Sequence, residues 1–196
     1  MKNHVKAAGL IAAAVAATGG TVLSAPAASA ASSSPASVAP QVSPSTTPLP
    51  PTARSAAFGK FLVNNNSGKC LSPAGGGVDN NVFTVIYDCD THPSRSWYLV
   101  DKGNSLYQIL NLNSGKCLAP AGGAGSNNTQ TVIYTCDNDP SRLWYFTDKG
   151  NFNYQIVNYS SGKCLTPAGG GVLNNTPTVI YNCDADPSRV WSLAAQ

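Results

Sequence analysis

The chain has 196 residues, of which 11% are charged, and a formal net charge of +3. Without its first thirty residues it keeps ten Lys and Arg against nine Asp, and it has no Glu anywhere. That balance is too weak for the basic stripe that nucleic acid or an anionic membrane surface requires, and it suits neutral ligands better.

Lys2, His4 and Lys6 form a basic start, Ala7 to Ala17 an apolar run, and Ala28-Ser29-Ala30 a small-residue cleavage pattern. A secretory signal peptide over residues 1–30 is therefore expected. Its alanine-rich run points to a bacterial exporter. The run is too short to span a bilayer and no later stretch is longer, so membrane insertion is not expected. The expected location is extracellular. Residues 31–57 are Ser, Pro, Ala and Thr, with Pro35, Pro40, Pro44, Pro48, Pro50 and Pro51. Such a segment has little apolar surface to bury and reads as a disordered linker. Residues 58–196 remain as one domain with enough chain for a core.

That domain is written three times. Cys70, Cys117 and Cys164 recur every 47 residues, as do Cys89, Cys136 and Cys183, and Trp97, Trp144 and Trp191. The repeats run at about 58–103, 104–150 and 151–196. Six cysteines in an exported chain read as disulfides, and of fifteen formal connectivities the symmetry favours Cys70–Cys89, Cys117–Cys136 and Cys164–Cys183. A metal site fits poorly, because the short Cys-x-x-Cys spacing is missing and His92 is the one histidine after the leader.

Each repeat shows four short strands and no helical period. In the second these are Tyr107 to Asn111, Cys117-Leu118, Thr131 to Cys136, and a strand through Trp144 and Phe146. Tyr154 to Asn158 and Lys60 to Asn64 match the first of them in the other repeats. A Pro-Ala-Gly-Gly turn ends the second strand. Asp101-Lys102-Gly103-Asn104 and Asp148-Lys149-Gly150-Asn151 turn the chain into the next repeat. Twelve short strands predict a closed all-β body without bare edges. A β-trefoil meets this description; a three-bladed propeller fits the short period less well. The tryptophans are expected as core anchors.

Gly-Lys-Cys-Leu, an aromatic two residues before the second Cys, and a closing x-x-Trp resemble the ricin-type (ricin B-like) β-trefoil lectin repeat, over essentially the whole domain. The resemblance implies a β-trefoil with one disulfide inside each repeat and, in many members, binding of galactose-like or xylan-like sugars. This sequence departs from the family pattern at three places in every copy. Ser72, Ala119 and Thr166 stand where an Asp usually follows Cys-Leu. Val85, Val132 and Val179 replace a polar residue, often Gln, and Arg95, Arg142 and Arg189 replace the Gln of the closing motif.

The retained aromatics Tyr87, Tyr134 and Tyr181 are candidate sugar platforms. Asn81, Asn128 and Asn175, after the Gly-rich turn, offer amides to hydroxyls, and Asp90, Asp137 and Asp184 follow the second Cys. The arginines read as structural, with Asp139 and Asp186 as turn partners of Arg142 and Arg189. No Glu and a single unrepeated His92 give no acid–base pair, so neither catalysis nor a cofactor is expected. The expected function is a carbohydrate-binding protein with up to three weak equivalent sites for a glycan or polysaccharide, such as a cell-wall or plant polymer. The competing expectation is a trefoil without sugar affinity that binds a protein partner as an inhibitor or scaffold.

Overall fold

The computed structural model describes residues 59–195, so the expected leader and linker lie outside the described residues. The strands are β1 (Lys60–Asn64), β2 (Cys70–Pro73), β3 (Val82–Tyr87), β4 (Ser96–Asp101), β5 (Tyr107–Asn111) and β6 (Cys117–Pro120). They continue as β7 (Thr129–Tyr134), β8 (Trp144–Gly150), β9 (Asn153–Asn158), β10 (Cys164–Pro167), β11 (Thr176–Tyr181) and β12 (Val190–Ala195).

Six strands close a barrel in the order β1, β12, β9, β8, β5, β4 and back to β1, every pair antiparallel. The other six form the hairpins β2–β3, β6–β7 and β10–β11. Their second strands, β3, β7 and β11, pair with one another in a triangle that caps the barrel. This is a β-trefoil of three repeats, as the periodic sequence predicts. Each of the six barrel strands is thereby paired on both sides, which protects its edges from another chain.

The repeated residues explain the closure. Trp97, Trp144 and Trp191 are fully buried beside the triads Leu71, Leu118, Leu165 and Ile86, Ile133, Ile180. Each indole Nε1 donates to a carbonyl of its own repeat, that of Leu71, Leu118 or Leu165, at 2.9 Å. A buried Trp thus satisfies its one polar atom, and truncating it to Ala costs about 3–5 kcal/mol. Asn64, Asn111 and Asn158 are also fully buried. Their amides donate to Ser188, Ser94 and Ser141 carbonyls at 2.7–2.8 Å, in each case crossing into the preceding repeat around the ring.

Thr84, Thr131 and Thr178 meet where β3, β7 and β11 converge, their hydroxyls 2.6, 2.6 and 2.7 Å apart. Three hydroxyls, each donating once and accepting once, close a ring without needing water.

The three disulfides form inside the repeats, Cys70–Cys89, Cys117–Cys136 and Cys164–Cys183, each spanning 19 residues. On the chain-entropy model each loop stabilises by about 3 kcal/mol. Their presence fits an oxidising compartment. No helix among the described residues is long and apolar enough to cross a membrane.

Local details differ from the sequence reading in three ways. Short 3₁₀ turns occupy the Pro-Ala-Gly-Gly segments, as at Ala74–Gly76, and the Pro-Ser-Arg segments, as at Pro93–Arg95. The third strand of the second repeat is Thr129–Tyr134, ending before its Cys instead of running through it. The hairpin tips fall one residue later than expected, at Asn104-Ser105 and Asn151-Phe152, where both residues have positive φ. That geometry is the type I′ turn, which matches strand twist and favours Asn at its first position.

Candidate functional site

Three surface pockets of about 320, 320 and 350 Å³ recur, one for each repeat. Each opens between the Pro-Ala-Gly-Gly turn, the end of a cap strand and the Pro-Ser-Arg turn. Tyr87, Tyr134 and Tyr181 end β3, β7 and β11 and line one pocket each. Tyr87 lies opposite Cys70 in the hairpin, and the Cys70–Cys89 bond clamps the chain just beyond it. The disulfides therefore hold the strand ends that carry the tyrosines.

The asparagines enter from a different repeat. Asn81 lines the Tyr134 pocket, Asn128 the Tyr181 pocket and Asn175 the Tyr87 pocket. Their backbones adopt left-handed φ of 64–67°, and each backbone N–H donates at 2.9 Å to Ile133, Ile180 or Ile86 next door. Asn tolerates that conformation, so the same residue makes the turn and delivers the amide. Each pocket is assembled across a repeat junction.

The arginines share the pockets. Arg95, Arg142 and Arg189 are buried and stack over Tyr87, Tyr134 and Tyr181 with guanidinium carbons 4.7, 4.8 and 5.1 Å from the ring centroids. A guanidinium over the ring is favourable and leaves one face of each Tyr covered.

Asp90, Asp137 and Asp184 lie outside the pocket lining. Their carboxylates pair with Arg95, Arg142 and Arg189 at 3.3, 3.0 and 3.0 Å. They also accept the backbone N–H of His92, Asp139 and Asp186. They hold the arginine-bearing turn in place. The carboxylates that do line pockets are Asp139 and Asp186, with His92 at the equivalent place in the first repeat. Hydrogen bonds from Ser141 and Ser188 lower the Asp139 and Asp186 pKa below the ordinary 3.8, and the Arg142 and Arg189 charges act in the same sense. Both sites thus keep a charged acceptor at neutral pH.

Val85, Val132 and Val179 line the same pockets beside Ser72, Ala119 and Thr166, the places where the family pattern would put its Gln-like and Asp side chains. Gly76, Gly123 and Gly170 form the opposite rim with φ near 68–69°. A Cβ on Gly76 would stand 3.2 Å from the His92 ring.

Sequence reasoning missed the pocket role of Arg95, Arg142, Arg189, Asp139 and Asp186, having assigned them to turn structure. The available signal was the constant spacing of eight residues from each Tyr to its Arg. No group of three or more His, Cys, Asp or Glu among the described residues is arranged to hold a metal.

The fold places the chain among the β-trefoils. The chain belongs to the family described as ricin-type beta-trefoil lectin domain-like, which matches residues 58–134, 102–182 and 141–196. No curated protein matches the sequence. Among solved structures, the designed threefold-symmetric protein ThreeFoil is similar with a TM-score of 0.69 and 23% identity over 70% of this chain and 98% of its own. An exo-beta-1,3-galactanase from Clostridium thermocellum gives 0.70 and 27% over 71% of this chain and 30% of its own, so this chain corresponds to under a third of that enzyme. The Macrolepiota procera ricin B-like lectin, solved in complex with lactose, gives 0.62 and 16% over 72% and 98%.

Proposed function

We propose that this protein is a secreted glycan-binding lectin, not an enzyme, with sugar sites at its three repeat junctions. The observation that carries this reading is the rebuilt pocket. Where the family's carboxylate after Cys-Leu is lost, Asp139 and Asp186 supply one from another turn, beside a Tyr, an Arg and a cross-repeat Asn. A carboxylate that accepts from two hydroxyls, an amide that does both, and an aromatic edge are what orient a sugar ring. The lactose carried by the Macrolepiota procera lectin supports a galactose-type unit as the first ligand to try. Threefold repetition supports binding over catalysis, since three shallow sites on one polymer raise apparent affinity by about 10²–10⁴-fold. Residues 1–30 act in this reading as the export signal, which N-terminal sequencing of protein recovered from the medium would check.

The test is a panel of immobilised oligosaccharides and cell-wall polysaccharides probed with the oxidised, secreted chain. Retention that disappears in the Tyr87, Tyr134 and Tyr181 triple Ala variant, with the fold intact by circular dichroism, supports the reading. Folded protein retained by no glycan overturns it and favours the protein-partner alternative.

A further inference from the structure

We infer that the three pockets are not equivalent: the two holding Asp139 and Asp186 take neutral sugar units, whereas the one holding His92 takes a unit bearing a carboxylate, a uronic acid. This rests on the glycan-binding reading above and assigns the ligand class of each site.

The three positions share one backbone conformation, with φ/ψ of −65°/131° at His92, −66°/129° at Asp139 and −64°/129° at Asp186. They also share one structural task, accepting the N–H of the Ser two residues on, at 3.2, 2.8 and 2.8 Å. The fold is therefore indifferent to the exchange, and only the chemistry offered to the pocket changes. In the carboxylates one oxygen serves the turn and the other remains an acceptor. In His92 the acceptor is Nδ1, so the neutral ring carries its proton on Nε2 and offers a donor instead.

Charge moves the same way. Among lining residues, Arg142 and Arg189 are each accompanied by an aspartate, whereas Arg95 has none. The outer partners Asp90, Asp137 and Asp184 are common to all three and cancel from the comparison. Asp88, which only the first repeat has, also acts on Arg95 from outside the lining, but its two oxygens are taken by Lys69 at 2.6 Å and Asn174 at 2.7 Å. The lining of the His92 pocket is thus one positive charge richer and lacks the carboxylate that sugar hydroxyls would donate to. A sugar carboxylate meets N–H groups and a guanidinium there, but like charge beside Asp139 or Asp186.

Asn175, Asn81 and Asn128 provide one amide reporter per pocket. The experiment titrates the ¹⁵N-labelled, oxidised protein with methyl β-galactoside and, separately, with methyl β-galacturonoside, which differ only at C6. The galactoside is expected to shift Asn81 and Asn128, and the galacturonoside Asn175, each with about a tenfold preference. His92→Asp should turn the Asn175 pocket toward the galactoside, and Asp139→His should turn the Asn81 pocket toward the galacturonoside. Either sugar filling all three pockets equally, or variants that leave the preferences unchanged, overturns the inference while glycan binding stands. If neither sugar moves any reporter, the inference falls, and the oligosaccharide and polysaccharide panel decides separately whether the glycan-binding reading stands.

Discussion

Asn81 belongs to the first repeat but lines the pocket of Tyr134 in the second, tied there by its N–H to the Ile133 carbonyl at 2.9 Å. In the proposed glycan-binding role, this puts the second-repeat pocket under the control of a residue 53 positions earlier. Asn81→Gly keeps the left-handed backbone and removes only the amide. It should weaken ligand at the Tyr134 pocket about three- to tenfold, the loss of one neutral hydrogen bond. The Tyr87 pocket, which uses Asn175, should be unaffected. Site-resolved NMR titration separates the two, and loss at Tyr87 instead would contradict the cross-repeat assembly.

The threonine ring predicts non-additive stability. Thr131→Val removes one member and leaves the Thr84 and Thr178 hydroxyls one partner short in a fully buried place. That should cost about 1–3 kcal/mol. Replacing Thr84, Thr131 and Thr178 together by Val leaves no ring hydroxyl unpaired. Its cost should be clearly less than the sum of the three single changes. Urea unfolding of oxidised protein measures both, and strict additivity would show that the ring is not a unit.

The fold was legible because the residues that build it are those the repeat displays. Trp97, Trp144 and Trp191 sit at the core, and the cysteines pair within repeats as the symmetry favours. The site was half legible. Tyr87, Asn81 and their copies do line pockets, but a linear repeat gives no reason to join Asn81 to Tyr134 instead of Tyr87. That choice is made by strand pairing between repeats, β3 with β7, which no local pattern contains. The exchange of roles between Asp137 and Asp139 was hidden for a related reason. Two carboxylates two residues apart both serve the same Arg142, and only three-dimensional placement shows which one faces the pocket.

Phe152 stores strain at a hairpin tip. It has φ of 61° in the type I′ turn and is 68% exposed, whereas the matching position of the preceding hairpin is Ser105. A left-handed aromatic costs roughly 1–2 kcal/mol. Little burial offsets that here. Phe152→Gly relieves the strain and gives the favoured Asn-Gly turn, but it also frees the unfolded chain by about 0.4–1 kcal/mol. The net expectation is a gain of about 0.5–1 kcal/mol, seen as a rise in Tm of about 2–4 °C. A fall in Tm would show that the exposed ring makes a stabilising contact.

Acid should loosen the molecule through the Pro-Ser-Arg turns. Asp139 and Asp186 have pKa values lowered in the fold, first by their hydrogen bonds from Ser141 and Ser188. Asp88 is lowered too, first by Lys69 and then by Asn174. For a carboxyl whose folded pKa is depressed, the unfolded chain takes up protons first, so stability falls as pH falls. The contribution is fully present above the unfolded value near 3.8 and is lost as pH passes down through the folded values. These carboxylates are solvent-exposed, so the change per group is small. Asp139→Asn with Asp186→Asn should flatten the pH dependence of Tm below pH 4 while leaving that of Asp88 in place. Galactoside binding at the Asn81 and Asn128 pockets of the unaltered protein should decline only in acid, with its midpoint below the ordinary carboxylate value of 3.8, as the two acceptors take up protons. Thermal melts and titrations between pH 2 and 7 read both effects, and a decline with its midpoint above 3.8 would assign the acceptor to another group.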